Sequence, residues 1–123
     1  MSKNPVGWFE IYVDDLDRAK KFYQAVLGVP LERLPSPEFE MWAFPMEQNG
    51  SGASGALIHM EGFKAGGNST LVYFTCDDCA TEEGRVEANG GKVFKTKFAI
   101  GQYGFIALAT DTEGTMFGMH SMK

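Results

Sequence analysis

An α+β fold built from two copies of a β-α-β-β-β module is predicted by three observations. The chain repeats itself without a gap. Each copy sets an alternating apolar run before an Asp-Asp pair and a helical pattern. A polar, Gly-rich tract separates the copies. The repeat places "GWFEIYVDDLDRAKKFYQAVLGVPLERL" (residues 7–34) over "TLVYFTCDDCATEEGRVEANGGKVFKTK" (residues 70–97), so that Asp14-Asp15 falls on Asp77-Asp78, Ala25 on Ala88 and Gly28 on Gly91. Internal repeats of this kind define an architecture before any single element does.

The elements follow in order. The run up to Tyr12 is rich in aromatic and β-branched residues and reads as a strand. The second Asp of each pair is placed to accept hydrogen bonds from first-turn N–H groups of a helix. Leu16, Ala19, Tyr23, Val26 and Leu27 recur at helical spacing, and Gly28 ends that helix where φ > 0 is often required. The second helix, within "CATEEGRVEANGG", is poorer: Gly84 lies inside it and apolar positions are few. Three further strands are expected after each helix, "VPLERL", "FEMWAFPM" and "SGALIHM" in the first copy and "KVFKTKF", "YGFIALAT" and "TMFGMHS" in the second. The turns between them are "PSPE", "EQNGSG", "AIGQ" and "DTEG". The expected organisation is one domain over residues 1–123, with module 1 at about 6–61, a linker at 62–69 and module 2 at about 70–121.

Bulk properties narrow the function. A chain of 123 residues can bury a core without metal or disulfide staples. The net charge of −5 and the scattered basic residues argue against nucleic acid as a partner. No apolar run approaches a membrane span, and "MSKNPVGWFE" lacks the build of a signal peptide. A cytoplasmic location with free thiols is therefore expected. The pair Cys76-x-x-Cys79 has the spacing of half a zinc site or a redox pair. The repeat aligns these cysteines with Val13 and Leu16, which makes each a small packing residue, with Cys76 turned toward the helix. The same duplication makes the Asp pairs caps and not paired catalytic carboxylates.

The segments "FEIYVDDLDRAKKFYQAVLG" and "DTEGTMFGMHS" resemble the vicinal oxygen chelate superfamily, which holds glyoxalases, bleomycin-resistance proteins and extradiol dioxygenases. The opening looks closest to a subgroup related to lactoylglutathione lyase by sequence only. The resemblance implies an open, incomplete eight-stranded barrel around a cavity that takes a small molecule, commonly in a homodimer. Metal-using members place one ligand on each of four strands, and the corresponding positions here are Trp8, His59, Leu71 and Gly118. Only His59 can ligate, so no metal site and no cofactor are expected, although a divalent metal at a displaced Glu10, His59 and His120 set stays open.

By the strand period of two, Trp8, Glu10, Tyr12, His59, Leu71, Tyr73, Phe105 and Gly118 are the expected ligand-binding residues. Met41 or Trp42, and Ala107 as the alternative to Phe105, belong to the same expectation. An aromatic, mostly apolar lining with a few polar groups suits a small ligand, and the missing bulk at Gly118 would leave room for one. Trp8 equally suits a plug where the metal would sit. Glu10 and His59 are the candidate catalytic groups, with an ion pair at the barrel mouth and a structural histidine as their bland readings. The leading expectation is a glyoxalase/bleomycin-resistance-like protein that binds a small aromatic or amphipathic molecule. Whether it is an enzyme stays open: the alternatives are a lyase or isomerase using Glu10 or His59, and a metalloenzyme with a displaced site.

Overall fold

The computed structural model describes residues 4–37, 39–47, 52–67 and 69–123. Most of the expected turn "EQNGSG", together with Glu38 of "PSPE" and Asn68 of the linker, lies outside the described residues. The element order is β1 (Val6–Tyr12), α1 (Leu16–Leu27), β2 (Glu32–Leu34), β3 (Glu40–Ala43), β4 (Ser54–His59), β5 (Thr70–Thr75), α2 (Cys79–Val86), β6 (Lys92–Ala99), β7 (Phe105–Thr110) and β8 (Met116–Ser121). The α+β class and the two β-α-β-β-β modules are thus as the sequence predicts. By contacts the chain divides into two compact units, Trp8–Thr70 and Leu71–Lys123, the latter joined by the N-terminal residues through Gly7.

In the first unit the strands run β2-β3-β4-β1. β1 and β4 are parallel, with Glu10 beside Ala56, Ile11 beside Leu57 and Tyr12 beside Ile58; β3 pairs antiparallel with both β2 and β4. Asp15 starts α1 by accepting the Arg18 N–H at 3.0 Å. Gly28 ends it at φ 68°, its N–H bonded to Gln24 O, a left-handed conformation that a side chain would strain. Leu16, Ala19 and Tyr23 pack with Val13, Leu31 and Leu57. The apolar stripe expected to continue through Val26 and Leu27 does not: they are 63% and 55% exposed. The core beneath α1 ends near Tyr23, and Leu27 borders an open pocket of about 390 Å³ with Phe9, Ile11 and Phe44. The strand expected over "VPLERL" shrinks to its last three residues. Pro30 has no N–H to give, and the Leu31 N–H is donated to Gln24 Oε1 at 2.9 Å.

In the second unit the order is β5-β8-β7-β6. β5 and β8 are parallel, and β7 pairs antiparallel with β8 and β6. Asp78 caps α2 through the Ala80 N–H at 3.0 Å and also takes Lys97 Nζ at 2.8 Å. The Lys97 hydrogen bond is the main reason the Asp78 carboxyl sits below the usual carboxylate range. α2 passes into a 3-10 turn at Glu87–Asn89, and Gly90 takes φ 96°. The left-handed stop therefore comes at Gly90, one residue before the glycine that the repeat aligns with Gly28, because the tighter turn uses fewer residues. Cys79, Ala107, Ala109 and Met119 form the buried core of this unit, with Val86, Phe105 and Phe117 packed against them.

Candidate functional site

Within the first unit, strand alternation separates two faces. Ile11 and Leu57 are partners in register and pack toward α1. Trp8, Glu10 and Tyr12 therefore share the face turned away from α1, together with Ala56 and Ile58. On this face the Glu10 carboxylate is gripped from both sides. Trp8 Nε1–H donates to Oε2 at 3.2 Å, and Tyr12 O–H donates to Oε1 at 3.1 Å. Residues i and i+2 on one strand face are close enough for this only because all three side chains point the same way. Tyr12 is 8% exposed, and its ring stacks on Phe63 at 5.1 Å between centroids. Burial first, then the charge and hydrogen bond of Glu10, push the Tyr12 phenol far above its ordinary range. It thus stays a neutral donor at any physiological pH.

His59 does not join this group. The parallel register sets Tyr12 beside Ile58, so His59, one residue on, falls on the α1 face with Leu57. Its Nδ1–H donates to Val13 O at 3.0 Å. The expectation that Glu10 and His59 line one surface is corrected: the pairing register, which the sequence does not display, puts them on opposite faces. On β3 the same register places Met41 beside Ile58, on the Glu10 face. Trp42 turns to α1, where Lys20 Nζ lies 3.5 Å over its ring.

In the second unit Leu71, Tyr73 and Gly118 share the face opposite α2. Tyr73 and Gly118 are partners in register, and a Cβ added at Gly118 would fall within the Tyr73 ring. The space expected to open at Gly118 is therefore filled by that ring. Phe105 is also corrected. It pairs with Ser121, packs with the α2 core and carries Lys97 Nζ 4.8 Å over its ring. Ala107 shares that core, and Ile106 and Leu108 take the face of Gly118 instead. The turn at Gly101–Tyr103 and the following Gly104 start β7 at Phe105, which sets the alternation opposite to the expected one. His120 keeps the Gly118 face, with its Nε2–H donated to Tyr103 O at 2.6 Å.

The remaining motifs are structural. Asp14 accepts the Ala65 N–H at 3.1 Å and pins the linker. Both cysteines are free. Cys79 is buried at the start of α2, its N–H donated to Ser121 Oγ at 3.0 Å. Phe63, the lone aromatic of the Gly-rich linker, was not among the expected site residues; an isolated ring in a polar tract is the signal that could have found it.

The residues at the superfamily's metal positions do not fit a metal. The Trp8 indole has no lone pair to offer and its N–H is committed to Glu10. His59 lies on the α1 face, Leu71 is apolar and Gly118 has no side chain. Among the described residues no three His, Cys, Asp or Glu side chains come together as ligands.

Comparison with known proteins agrees with the fold. Residues 6–44 match the family model "Bleomycin resistance protein-like N-terminal". Methylmalonyl-CoA epimerase from Mycobacterium tuberculosis superposes with a TM-score of 0.70 at 15% identity, over 97% of this chain and 88% of that one. The Streptomyces coelicolor methylmalonyl-CoA epimerase S115T, in complex with 2-nitronate-propionyl-CoA, gives 0.69 at 14% identity, over 98% and 95%. An uncharacterized protein from Methanosarcina mazei gives 0.62 at 16%, over 98% and 95%. No curated protein is matched by the sequence.

Proposed function

The chain has the vicinal oxygen chelate fold, and from that premise we propose that it binds a small aromatic or amphipathic molecule without the metal of the fold. Trp8, Glu10 and Tyr12 are its recognition group. The observation that carries this reading is the Glu10 carboxylate held between the Trp8 N–H and the Tyr12 O–H. The half-buried Trp8 ring beside one fixed anion forms a surface for a ligand with a flat apolar part and a hydrogen-bond donor or positive charge, while the buried Tyr12, stacked on Phe63, holds the anion in place. Met41, half-buried, extends the apolar part of that face, and the fully buried Ala56 and Ile58 back it. His59 and Phe105 are not part of the proposed site.

Acid/base catalysis at Glu10 is the second reading, favoured by the same carboxylate and by the enzymes of similar fold. Against it stands the use of the neighbouring donors. Proton abstraction next to a carbonyl needs a donor for the developing oxyanion, and the Trp8 N–H and Tyr12 O–H are both turned to Glu10.

Thermal-shift screening against aromatic and amphipathic metabolites, followed by calorimetry on wild type, Trp8→Leu and Glu10→Gln, tests the binding reading. Hits are expected to lose about tenfold in affinity in Glu10→Gln. A broad panel without a hit, or hits indifferent to both substitutions, would overturn it. Deuterium exchange at the α-carbon of methylmalonyl-CoA tests the catalytic reading; exchange that vanishes in Glu10→Gln would replace binding by turnover.

A further inference from the structure

The second half of α1 carries more apolar surface than its own unit covers. Among the described residues nine large hydrophobic side chains are more than a third exposed, and four of them belong to this end of the first unit: Phe22 (59%), Val26 (63%), Leu27 (55%) and Met46 (66%). Phe22 and Val26 lie one helical turn apart and form a ridge. Beside the ridge, the open pocket of about 390 Å³ is walled by Leu27, Phe9, Ile11, Val29 and Phe44. Ring contacts join ridge and pocket: Phe22 meets Tyr23 edge-on at 5.2 Å, and Tyr23 meets Phe44 edge-on at 5.8 Å. Met46 follows Pro45 of the pocket rim.

The chemistry of this face limits what can cover it. Among the described residues no charged side chain lines the pocket. The Ser54 O–H is taken up by the Phe44 and Pro45 carbonyls at 3.2 and 3.0 Å. A polar small molecule would find little to bond. The exposed parts of Phe22, Val26, Leu27 and Met46 amount to about 450 Å² of apolar surface, which is in the range that marks an interaction site. The pocket walls and a rim of Arg18, Lys21 and Glu47, all exposed, bring the face to about the 800 Å² that each side of a standard interface buries.

Charge selects the partner. α1 has no basic residue in its last turn, so the negative end of its dipole is not balanced from within. Its cations Arg18 and Lys21 sit one to two turns nearer the start. A second α1 running antiparallel exchanges them. With the two-fold axis between Phe22 and Val26, Phe22 meets Val26 of the other copy, and Lys21 and Arg18 reach the C-terminal end of the other helix. We propose that this face is a two-fold interface between copies of this chain, with α1 packed antiparallel on α1 and Phe22 as its aromatic anchor. The interface lies on the α1 side of the strands, opposite to Trp8, Glu10 and Tyr12, so its failure would leave the ligand reading untouched.

Sedimentation equilibrium of the full chain tests the proposal. Wild type is expected to be a dimer at about 100 μM. Phe22→Glu and Val26→Lys, at positions more than half exposed, are expected to be monomeric at that concentration with native circular dichroism. Lys21→Glu is expected to weaken the dimer about tenfold, because the charge is lost at both symmetric ends. Phe94→Lys, on β6 and 63% exposed, should leave association unchanged. The proposal is overturned if wild type stays monomeric up to about 1 mM, if the dimer survives Phe22→Glu, or if Phe94→Lys abolishes it equally. A monomeric wild type that takes an apolar dye into the pocket, with binding lost in Leu27→Lys, would also overturn it, since the face would then belong to a small ligand.

Discussion

Replacing Tyr12 by Phe removes one atom from the proposed recognition group and little else. The ring that stacks on Phe63 at 5.1 Å stays, and so does the burial of a side chain only 8% exposed. What disappears is the O–H donor to Glu10 at 3.1 Å. A hydrogen bond to a charged group contributes about 1.5–3 kcal/mol when buried. Glu10 is only half-buried, so solvent can replace part of the loss, and about 1–1.5 kcal/mol is expected. For a chain of this size that lowers the thermal midpoint by about 3–6 °C. Urea denaturation of wild type, Tyr12→Phe, Glu10→Gln and the double variant isolates the pair from the other contacts of Glu10. A coupling of about 1 kcal/mol is expected. The pH dependence gives an independent reading. The Tyr12 phenol is raised by burial and by Glu10, so its contribution is complete below about pH 10, the ordinary phenol value. It declines above that, because the unfolded phenol ionises while the folded one does not. In an absorbance titration at alkaline pH, part of the signal of the four tyrosines should be withheld until the chain unfolds, and Tyr12→Phe should reduce the withheld part. Additive substitutions with a coupling near zero, or an unchanged titration, would refute the claim that Glu10 is held by its neighbours.

Other outcomes follow from the same structure. Burial first, then the charge and hydrogen bond of Glu82, push the Cys76 thiol up to about 11, so at pH 8 the native chain should alkylate about a hundredfold more slowly than an ordinary exposed thiol; rapid labelling would show that the thiol is not held beside Glu82. Gly118→Ala should cost about 1–3 kcal/mol by pressing a methyl into the Tyr73 ring, and most of that cost should vanish in a Tyr73→Ala background. Chelation, and added zinc, manganese or nickel, should leave the thermal midpoint unchanged, because an ion bound by the folded chain would raise it; a saturable rise would mean that the residues at the fold's metal positions had been misread.

Much of the fold was legible because its signals are local. Asp15 and Asp78 both cap helices, and a cap needs only the residues within one turn. The same holds for Gly28, whose φ is positive. The faces of β1 and β5 followed from alternation alone, which put Trp8, Glu10 and Tyr12 together and Leu71 with Tyr73. Reading failed where a face depends on how one strand pairs with another. His59 sits on a strand paired with β1, far away in sequence, and the phase of Phe105 is set by the turn just before β7; in either case a slip of one residue exchanges the two faces.

Legible in the residues alone were the duplicated module, its helix starts and the stop at Gly28, the packing role of the cysteines, and the poverty of the four metal positions, since a leucine and a glycine cannot ligate wherever they point. Tertiary packing alone supplied the grip of Trp8 and Tyr12 on Glu10, the Tyr73 ring in the space over Gly118, and the Glu82 carboxylate set beside the Cys76 thiol. Each of these is a relation between side chains, governed by register, rotamer and burial. Composition and periodicity constrain which residues face a surface, but not what each one touches when it gets there.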